Sequence, residues 1–226
     1  GSEMCIRDRP RTSDAGTRLI LIRHGKTAWN AGPSMADATH AGEERFRGRT
    51  DLPLDDTGQA QAIALADRLE REPMEAFYAS PLLRTQQTLA PLAGRLGLPV
   101  QPEEGLLDIN YGHFQGLTYS EAAAAHPEPY SHWRTTPSQV RFPGGECLAD
   151  VQARILALLQ ELPSRHPEGT VALAGHQIVN KVAACTLLGL DLDQIWRIQQ
   201  EPGSMNVFQQ VDGVWHTLRL NDICHL

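Results

Sequence analysis

Residues 19–30, LILIRHGKTAWN, form the stretch around which the rest of this chain is organised. Its four consecutive aliphatic residues predict a strand buried on both faces, as in the middle of a parallel sheet. The strand ends at Arg23, His24 and Gly25. Because ligands of open α/β sheets bind beyond the carboxyl ends of the strands, we expect a ligand site here. For so short a motif, the alternative is a histidine packed in a turn.

A second stretch repeats this arrangement. Residues 170–174, TVALA, predict another buried strand, and Gly175, His176 and Gln177 then lead into an apolar helical pattern that ends near Leu188. Two histidines at two strand ends can face each other across one anion. A core histidine is the alternative for His176, but a position that opens a helix favours contact with a ligand.

Two further motifs carry candidate site residues. Residues 80–88, SPLLRTQQT, predict a helix capped by Ser80-Pro81, with Arg84 in its first turn, where a guanidinium can bind an anion. Residues 106–117, LLDINYGHFQGL, place Asp108 four residues before a glycine. Asp108 could cap a loop or transfer protons, and we favour proton transfer. Burial would raise its pKa and nearby cations would lower it, so the direction stays open.

The segments between these motifs predict an entrance to the site. Residues 31–50 predict a long polar loop that includes RFRGR at 45–49. We give equal weight to two interpretations of its arginines, as solvated charges and as substrate contacts. Residues 118–145 predict short helices that form a lid. Glu146 is expected to complement the dipole of the helix that follows, and it is the alternative acid if Asp108 is structural.

The composition limits the classes of partner. The chain has 226 residues, 41% hydrophobic and 21% charged, which fits one α/β domain with a sizeable core. A net charge of −7 without a basic run argues against nucleic-acid binding, so an anionic ligand needs a local basic pocket. The sequence has no run of about 18 apolar residues, and no membrane span is expected.

The ends and the cysteines complete this description. Residues 1–17 lack a periodic apolar pattern, and their Gly-Ser start resembles a protease-cleavage remnant, so we expect a disordered or foreign segment before a single domain at 18–226. Four cysteines occur without a Cys-x-x-Cys pair, which predicts reduced thiols and a cytoplasmic location. A zinc site is the weaker alternative.

Taken in order, the motifs RHGxTxxN, SPLxRTxQT, the acid before Gly-x-aromatic-x-Gly and the strand-end GHQ resemble the histidine phosphatase superfamily, in its phosphoglycerate mutase-like branch. The residues GGExLAxV from 144 and the ending CHL are similar to metal-independent phosphoserine phosphatases. The resemblance implies an α/β fold: a three-layer α/β/α sandwich with a mainly parallel central sheet, flanking helices and a small helical lid at about 118–145.

The resemblance also implies roles for individual residues. His24 would be the nucleophile that forms a phosphohistidine, and Asp108, an acid that is glutamate in many members, would be the proton donor. The remaining catalytic residues would be Arg23, Arg84 and His176. The substrate-binding residues would be Asn30, Thr27, Arg47, Gly48, Tyr111, Gln177 and His225. No metal and no cofactor are expected.

The function implied is metal-independent hydrolysis of phosphomonoesters of small metabolites, with phosphoserine as one substrate. The stretch after Asp108 lacks the basic cluster of the mutases, so mutase-type phosphoryl transfer is the alternative, beside a non-catalytic module that binds phosphorylated ligands. The expected partner is a small-molecule phosphate ester, without nucleic acid or membrane, and a homodimer is left open. We also expect the last strand to return residues 221–226 to the strand ends.

Overall fold

The computed structural model describes residues 16–30 and 45–226. The strands are β1 Arg18–Arg23, β2 Met74–Ala79, β3 Val100–Pro102, β4 Thr170–Gly175, β5 Met205–Val211 and β6 Val214–Asp222. The α-helices are α1 Asp56–Leu69, α2 Leu83–Leu96, α3 Tyr119–Ala125, α4 Pro127–Thr135, α5 Leu148–Arg165 and α6 Gln177–Leu188. Of the segment at 1–17 that was predicted to be disordered or foreign, residues 1–15 fall outside the described residues, as does the loop at 31–44. Thr17 is buried, and its hydroxyl donates to the carbonyl of His166 at 2.6 Å.

The six strands form one sheet in the order β3-β2-β4-β1-β5-β6. The first four strands of this order are parallel, and β5 and β6 are antiparallel to their neighbours. In the β1–β4 register Arg23 is opposite Gly175, so the residues that follow, His24 and His176, leave the sheet side by side. The mainly parallel sheet is confirmed, and its register explains how two distant motifs meet.

Alternate residues of β1 face two separate apolar layers. Leu19 and Leu21 belong to the cluster formed with α5, α6 and the segment between 106 and 142. Ile20 and Ile22 belong to the cluster formed with α1 and α2. Because successive side chains of a strand point to opposite faces, the uninterrupted aliphatic run is what a two-sided core requires. The predicted three-layer arrangement is confirmed.

The predicted lid region contains α3 and α4, and both pack through aromatic side chains. Trp133 of α4 is 1% exposed and lies edge-on to Phe142 and Trp196, with ring centroids 5.0 and 5.2 Å apart. Tyr111 also lies edge-on to Phe142, at 4.9 Å. Edge-to-face pairs add specific geometry to apolar burial, so this cluster fixes the two short helices against the sheet ends.

Two helices begin later than the sequence indicates. The helix with Arg84 begins at Leu83, and the N–H of Leu83 donates to Asp51 Oδ1 at 2.7 Å, so a distant carboxylate performs the capping predicted for Ser80-Pro81. The next long helix begins at Leu148 with Cys147 at its N-cap. Glu146 therefore lies outside that helix, and its carboxylate bonds to a neighbouring loop instead of a helix end.

The hairpin of β5 and β6 brings residues 223–226 to the edge of the sheet where β1 and β4 end. Asp212 and Gly213 both have positive φ, 51° and 78°, as a tight two-residue hairpin turn requires. Since β5 is antiparallel to both β1 and β6, β6 ends at the same edge of the sheet as β1. There the His225 ring Nε2 lies 3.1 Å from the carbonyl of Gly203, which places residues 223–226 at the predicted edge.

Candidate active site

His24 follows β1 and is only 1% exposed. Its Nδ1 lies 2.7 Å from the carbonyl oxygen of Gly25. A carbonyl can only accept a hydrogen bond, so Nδ1 carries the proton and Nε2 keeps its lone pair. The pKa of His24 is lowered well below its usual value by burial and then by the charges of Arg84 and Arg23. The ring is therefore neutral near pH 7 and can act as a nitrogen nucleophile.

The loop after His24 is fixed by close backbone contacts. A Cβ on Gly58 would lie 2.1 Å from the carbonyl oxygen of Lys26, and one on Gly25 would lie 2.7 Å from the carbonyl oxygen of Gly58. The N–H of Gly25 donates to Thr88 Oγ1 at 3.0 Å, and this hydroxyl donates to the carbonyl of Arg84 at 2.7 Å. Thr88 thus joins the histidine loop to the arginine helix, a role that the sequence did not reveal.

His176 lies opposite His24, with ring centroids 5.3 Å apart. It is the N-cap of α6 and is 0% exposed. Neither of its ring nitrogens has a hydrogen-bond partner among the described residues. A buried polar ring without a partner, at a helix N-terminus where N–H groups are unsatisfied, is an arrangement suited to bind an anion. Burial, followed by the charges of Arg84 and His24, lowers its pKa well below the usual value.

Arg84 is fully buried and is aligned by two carbonyls of the preceding loop. Its Nη1 donates to Thr50 at 2.9 Å and its Nη2 to Gly48 at 2.8 Å, while Nε has no partner among the described residues. The sequence places Gly48 as a substrate contact, and the structure shows its carbonyl orienting Arg84. Gly48 has a φ of +48°, a backbone conformation that disfavours a side chain.

Two more arginines are buried beside the histidines. Arg23 is 3% and Arg47 7% exposed. Arg23 Nη1 donates to the carbonyl of Gln200, and Arg47 Nη1 donates to that of Trp29 at 2.9 Å. Backbone carbonyls thus help to orient both guanidiniums. The structure brings Arg23 and Arg47 to the same positively charged centre beside His24.

Asp108 is the one acidic side chain buried among residues 16–30 and 45–226. Its Oδ2 lies 3.3 Å from Arg84 Nη2 and 3.7 Å from His176 Nδ1, and its Oδ1 accepts the N–H of Ile109 at 2.9 Å. Burial raises its pKa, and this effect exceeds the opposing charges of Arg84 and Arg47. The sequence left the direction of this shift open, and burial moves the pKa in the direction that a general acid needs.

The polar residues of the first motif divide into one that lines a cleft and one that supports it. Asn30 Oδ1 accepts hydrogen bonds from the Thr27 N–H at 3.1 Å and from Thr27 Oγ1 at 2.9 Å. Thr27 is fully buried and lies outside the lining of both cavities, whereas Asn30 and Gln177 line the larger one. Thr27 thus holds Asn30 in place.

Two cavities meet at Gln177, at the first residue of α6. The larger is a cleft of about 330 Å³ lined by Arg23, Lys26, Asn30, Thr57, Gln61, Gln177, Gln199, Gln200, Glu201 and Pro202. The smaller holds about 20 Å³ and is lined by Arg45, Phe46, Arg47, Asp108, Tyr111, Tyr119, Trp133, Gln177, Ile178 and Trp196. The larger cleft can admit part of a small metabolite, and the smaller has room for about one water.

His225, a predicted substrate contact, does not line either cavity. Its ring lies against Gly203, whose N–H in turn donates to the carbonyls of Arg23 and His24 at 3.2 and 3.1 Å. His225 is therefore separated from the histidine pair by one backbone segment. Tyr111, in contrast, does line the smaller cavity beside Asp108.

Other kinds of site were also sought in the described part of the chain. Within residues 16–30 and 45–226, no three His, Cys, Asp or Glu side chains come together as metal ligands do. The same residues include no helix that is both long and apolar enough to cross a bilayer.

Comparison with known proteins defines the class. The sequence profile of the histidine phosphatase superfamily (branch 1) matches residues 19–223. Phosphoserine phosphatase 1 of Hydrogenobacter thermophilus is 33% identical over 209 residues, covering 92% of this chain and 94% of that protein. A glucosyl-3-phosphoglycerate phosphatase of Mycolicibacterium vanbaalenii is 33% identical over 183 residues, covering 78% and 76% of the two chains. The solved structure of YhfR from Bacillus stearothermophilus superposes with a TM-score of 0.84 at 29% identity, covering 92% of this chain and 98% of that one.

The chain belongs to the histidine phosphatase superfamily. It is a phosphatase, and its substrates are small phosphate esters. The family resemblance and the enzyme class expected from the four motifs are confirmed.

Proposed function

We propose that this protein hydrolyses phosphomonoesters through a phosphohistidine on His24, without a metal ion. The observation that carries the proposal is the His24 ring itself. Its Nδ1 proton is committed to the Gly25 carbonyl, so Nε2 keeps a lone pair, and the ring faces His176 at 5.3 Å. Burial and the charges of Arg84, Arg23 and Arg47 lower the pKa of His24, so its ring stays neutral and Nε2 can attack phosphorus.

The first step transfers the phosphoryl group to the enzyme. His24 Nε2 forms a bond to phosphorus while the bond from phosphorus to the ester oxygen breaks. The leaving oxygen takes the proton of Asp108, so an alcohol departs and Asp108 becomes a carboxylate. The guanidiniums and the first turn of α6 neutralise the phosphoryl oxygens, which is the main contribution that a protein makes to this class of reaction.

The second step releases phosphate. A water attacks phosphorus and gives a proton to Asp108 as the bond between phosphorus and Nε2 breaks, which restores neutral His24 and the protonated acid. The cavity of about 20 Å³ beside Asp108 can hold this water. One group thus serves as acid and then as base, which favours a carboxyl whose pKa is raised toward neutrality.

The lining of the larger cleft suits a small polar leaving group that carries one positive and one negative charge. Lys26 and Glu201 both line it, and neither side chain has an ion-pair partner among the described residues. A free amino acid could offer its carboxylate to Lys26 and its ammonium to Glu201. We therefore favour an O-phosphorylated amino acid such as phosphoserine as the substrate, in keeping with the relative named a phosphoserine phosphatase.

A phosphorylated sugar acid is the second candidate. Amide side chains line the same cleft at Asn30, Gln61, Gln177 and Gln199, and amides pair well with hydroxyl groups. One relative is named a glucosyl-3-phosphoglycerate phosphatase. Such a substrate would use the Lys26 ammonium and leave Glu201 without a cationic partner, so charge pairing favours the amino acid.

Rapid chemical quench tests the mechanism. The protein is mixed for milliseconds with radiolabelled phosphoserine, or with an aryl phosphate, in excess EDTA and then denatured in alkali. We expect an acid-labile phosphoryl group on the His24 peptide and none in His24→Ala. Wild-type turnover by His24→Ala, or turnover that requires an added metal ion, would overturn the proposal.

A further inference from the structure

Glu146 holds the loop that carries Asp108. Its Oε2 accepts the N–H of Asn110 at 2.7 Å, and its own N–H donates to the carbonyl of Asn110 at 2.8 Å. This two-way bond clamps the chain two residues after Asp108. The same glutamate precedes α5, whose packing against the sheet makes Glu146 a fixed point for the loop.

The other oxygen of Glu146 is shared by two arginines. Arg49 Nη2 lies 3.2 Å and Arg154 Nε 3.5 Å from Oε1. Both guanidiniums also reach the Asp108 loop: Arg154 Nη1 donates to the carbonyl of Gly105 at 2.7 Å, and Arg49 Nε lies 3.5 Å from the carbonyl of Asp108. Two cations therefore contact the loop that carries the acid, and both pair with the carboxylate of Glu146.

Several cations lie near Asp108, so the negative charge of Glu146 affects the pKa of this acid. The charged and titratable groups nearest its carboxyl are Arg84 of α2, Arg47 of the loop before α1, His176 before α6 and Arg154 of α5. Arg49 lies against its backbone carbonyl. The charge of Arg154 lowers the pKa of both Asp108 and His176. The Glu146 carboxylate lies 3.5 Å from Arg154 Nε, so its negative charge opposes the positive charge of Arg154. Without Glu146, two uncompensated guanidiniums would favour the ionised form of Asp108, which cannot donate a proton.

We propose that Glu146 is the positioning residue of the proton donor: its carboxylate fixes the Asp108 loop through Asn110 and offsets the charges of Arg49 and Arg154, the two cations that also contact this loop. This rests on the proposed role of Asp108 as general acid. It also argues against Glu146 as that acid, since both of its oxygens already contact Asn110, Arg49 and Arg154.

Glu146→Gln separates the charge from the hydrogen bond, because the amide oxygen can still accept the Asn110 N–H. For an alkyl phosphate, we expect the alkaline limb of the kcat profile to move down by about 0.5–1 pH unit, with KM changed less than about twofold. At pH 8 this gives a loss of about 3- to 10-fold in kcat. An aryl phosphate, whose phenolate leaves without full protonation, should retain its rate.

Two further variants complete the design. Asp150→Asn removes an equal charge from the same segment, but Asp150 pairs with Arg141 at the surface, so its profile should match the wild type. Arg154→Gln removes one of the two cations that pair with Glu146, and it should move the alkaline limb of the kcat profile to higher pH. Combined with Glu146→Gln it should return the limb toward the wild-type position, a rescue that a purely structural role for Glu146 does not give.

The outcomes are distinguishable. If Asp108→Asn slows alkyl and aryl phosphates equally, the proposed acid is wrong. If Asp108→Asn is selective but neither Glu146→Gln nor Arg154→Gln moves the limb, only the role of Glu146 is overturned. Should Glu146→Gln lower melting temperature and both activities together, the upward shift in Arg154→Gln decides the question, and its absence rejects the proposal.

Discussion

Asp108 has a raised pKa although its Oδ2 lies only 3.3 Å from Nη2 of the fully buried Arg84. A cation at that distance stabilises a carboxylate in water, but here burial removes most of the solvation that the charge needs. The pair is held slightly longer than a tight ion pair because Arg84 is already committed to the carbonyls of Gly48 and Thr50. Burial thus outweighs the neighbouring cation in its effect on the pKa of the acid.

Asp108→Asn should lower kcat for alkyl phosphates by about 100- to 1,000-fold and for p-nitrophenyl phosphate by less than about tenfold. An asparagine keeps the shape of the side chain but cannot transfer a proton, and a good leaving group needs little protonation. The ratio of kcat values for the two substrates is the measurement. A loss of equal size for both would assign Asp108 a structural role.

Stability should fall as pH drops below the ordinary histidine pKa of about 6.5. The pKa values of His24 and His176 are lowered in the folded protein, so the unfolded chain binds more protons below pH 6.5. Their contribution is complete above pH 6.5 and is lost as pH falls toward the folded pKa values, by up to about 1.4 kcal/mol per pH unit for each ring. Asp108, whose pKa is raised, acts in the opposite direction as pH rises above its unfolded value.

Urea unfolding at pH 5.5 to 7.5 measures this dependence. His176→Asn should flatten the curve, and the same exchange at exposed His113 should leave it unchanged. A wild-type curve with no slope in this interval, or equal flattening by the two variants, would contradict the assignment of buried neutral rings.

Lys26→Met and Glu201→Gln should each raise KM for phosphoserine by about 5- to 10-fold, since each removes one charge-assisted contact. Substrates with one charged group separate the two contacts: 3-phosphoglycerate should respond only to Lys26→Met and phosphoethanolamine only to Glu201→Gln. An aryl phosphate serves as the control in which neither variant changes KM. No preference of either variant for its matching substrate would remove the amino acid as the favoured ligand.

Incubation with 3-phosphoglycerate should yield inorganic phosphate or no product, because the stretch after Asp108 lacks the basic cluster expected of a mutase. Phosphorus NMR, with and without a trace of the bisphosphate that primes mutases, follows both products at once. Rapid formation of 2-phosphoglycerate would establish phosphoryl transfer instead of hydrolysis.

Gly58→Ala should displace the His24 loop. The added Cβ would lie 2.1 Å from the carbonyl oxygen of Lys26 and 2.8 Å from its nitrogen, and backbone atoms cannot avoid it by a rotamer change. We expect a loss of about 1–3 kcal/mol in the free energy of unfolding and at least a tenfold loss of kcat. Gly94→Ala is the matched control, since it lies within α2 with nothing within 4 Å and should be neutral or stabilising. Equal effects of the two exchanges would reject a steric cause.

The sequence alone carried the fold and most of the site, for a physical reason that is local. An aliphatic run that must be buried on both faces predicts a central strand, and residues 19–22 and 170–174 meet this condition. A histidine directly after each such strand must lie at the carboxyl edge of the sheet. The motif around Arg84 resembles a known family, and that resemblance supplied the pairing of this arginine with the two histidines.

Tertiary structure decided the properties that depend on distant contacts. The pKa of Asp108 follows from the balance between burial and the charges of Arg84 and Arg47, which no spacing reveals. The tautomer of His24 depends on the direction of one carbonyl. Thr27 supports Asn30, and His225 contacts Gly203 outside the cavities, because side chains with the same donors serve substrate or scaffold according to what lies nearby. Desolvation and hydrogen-bond direction are properties of the assembled fold. The candidate reacting groups could therefore be predicted from the sequence, whereas their pKa shifts and tautomers depend on the tertiary structure.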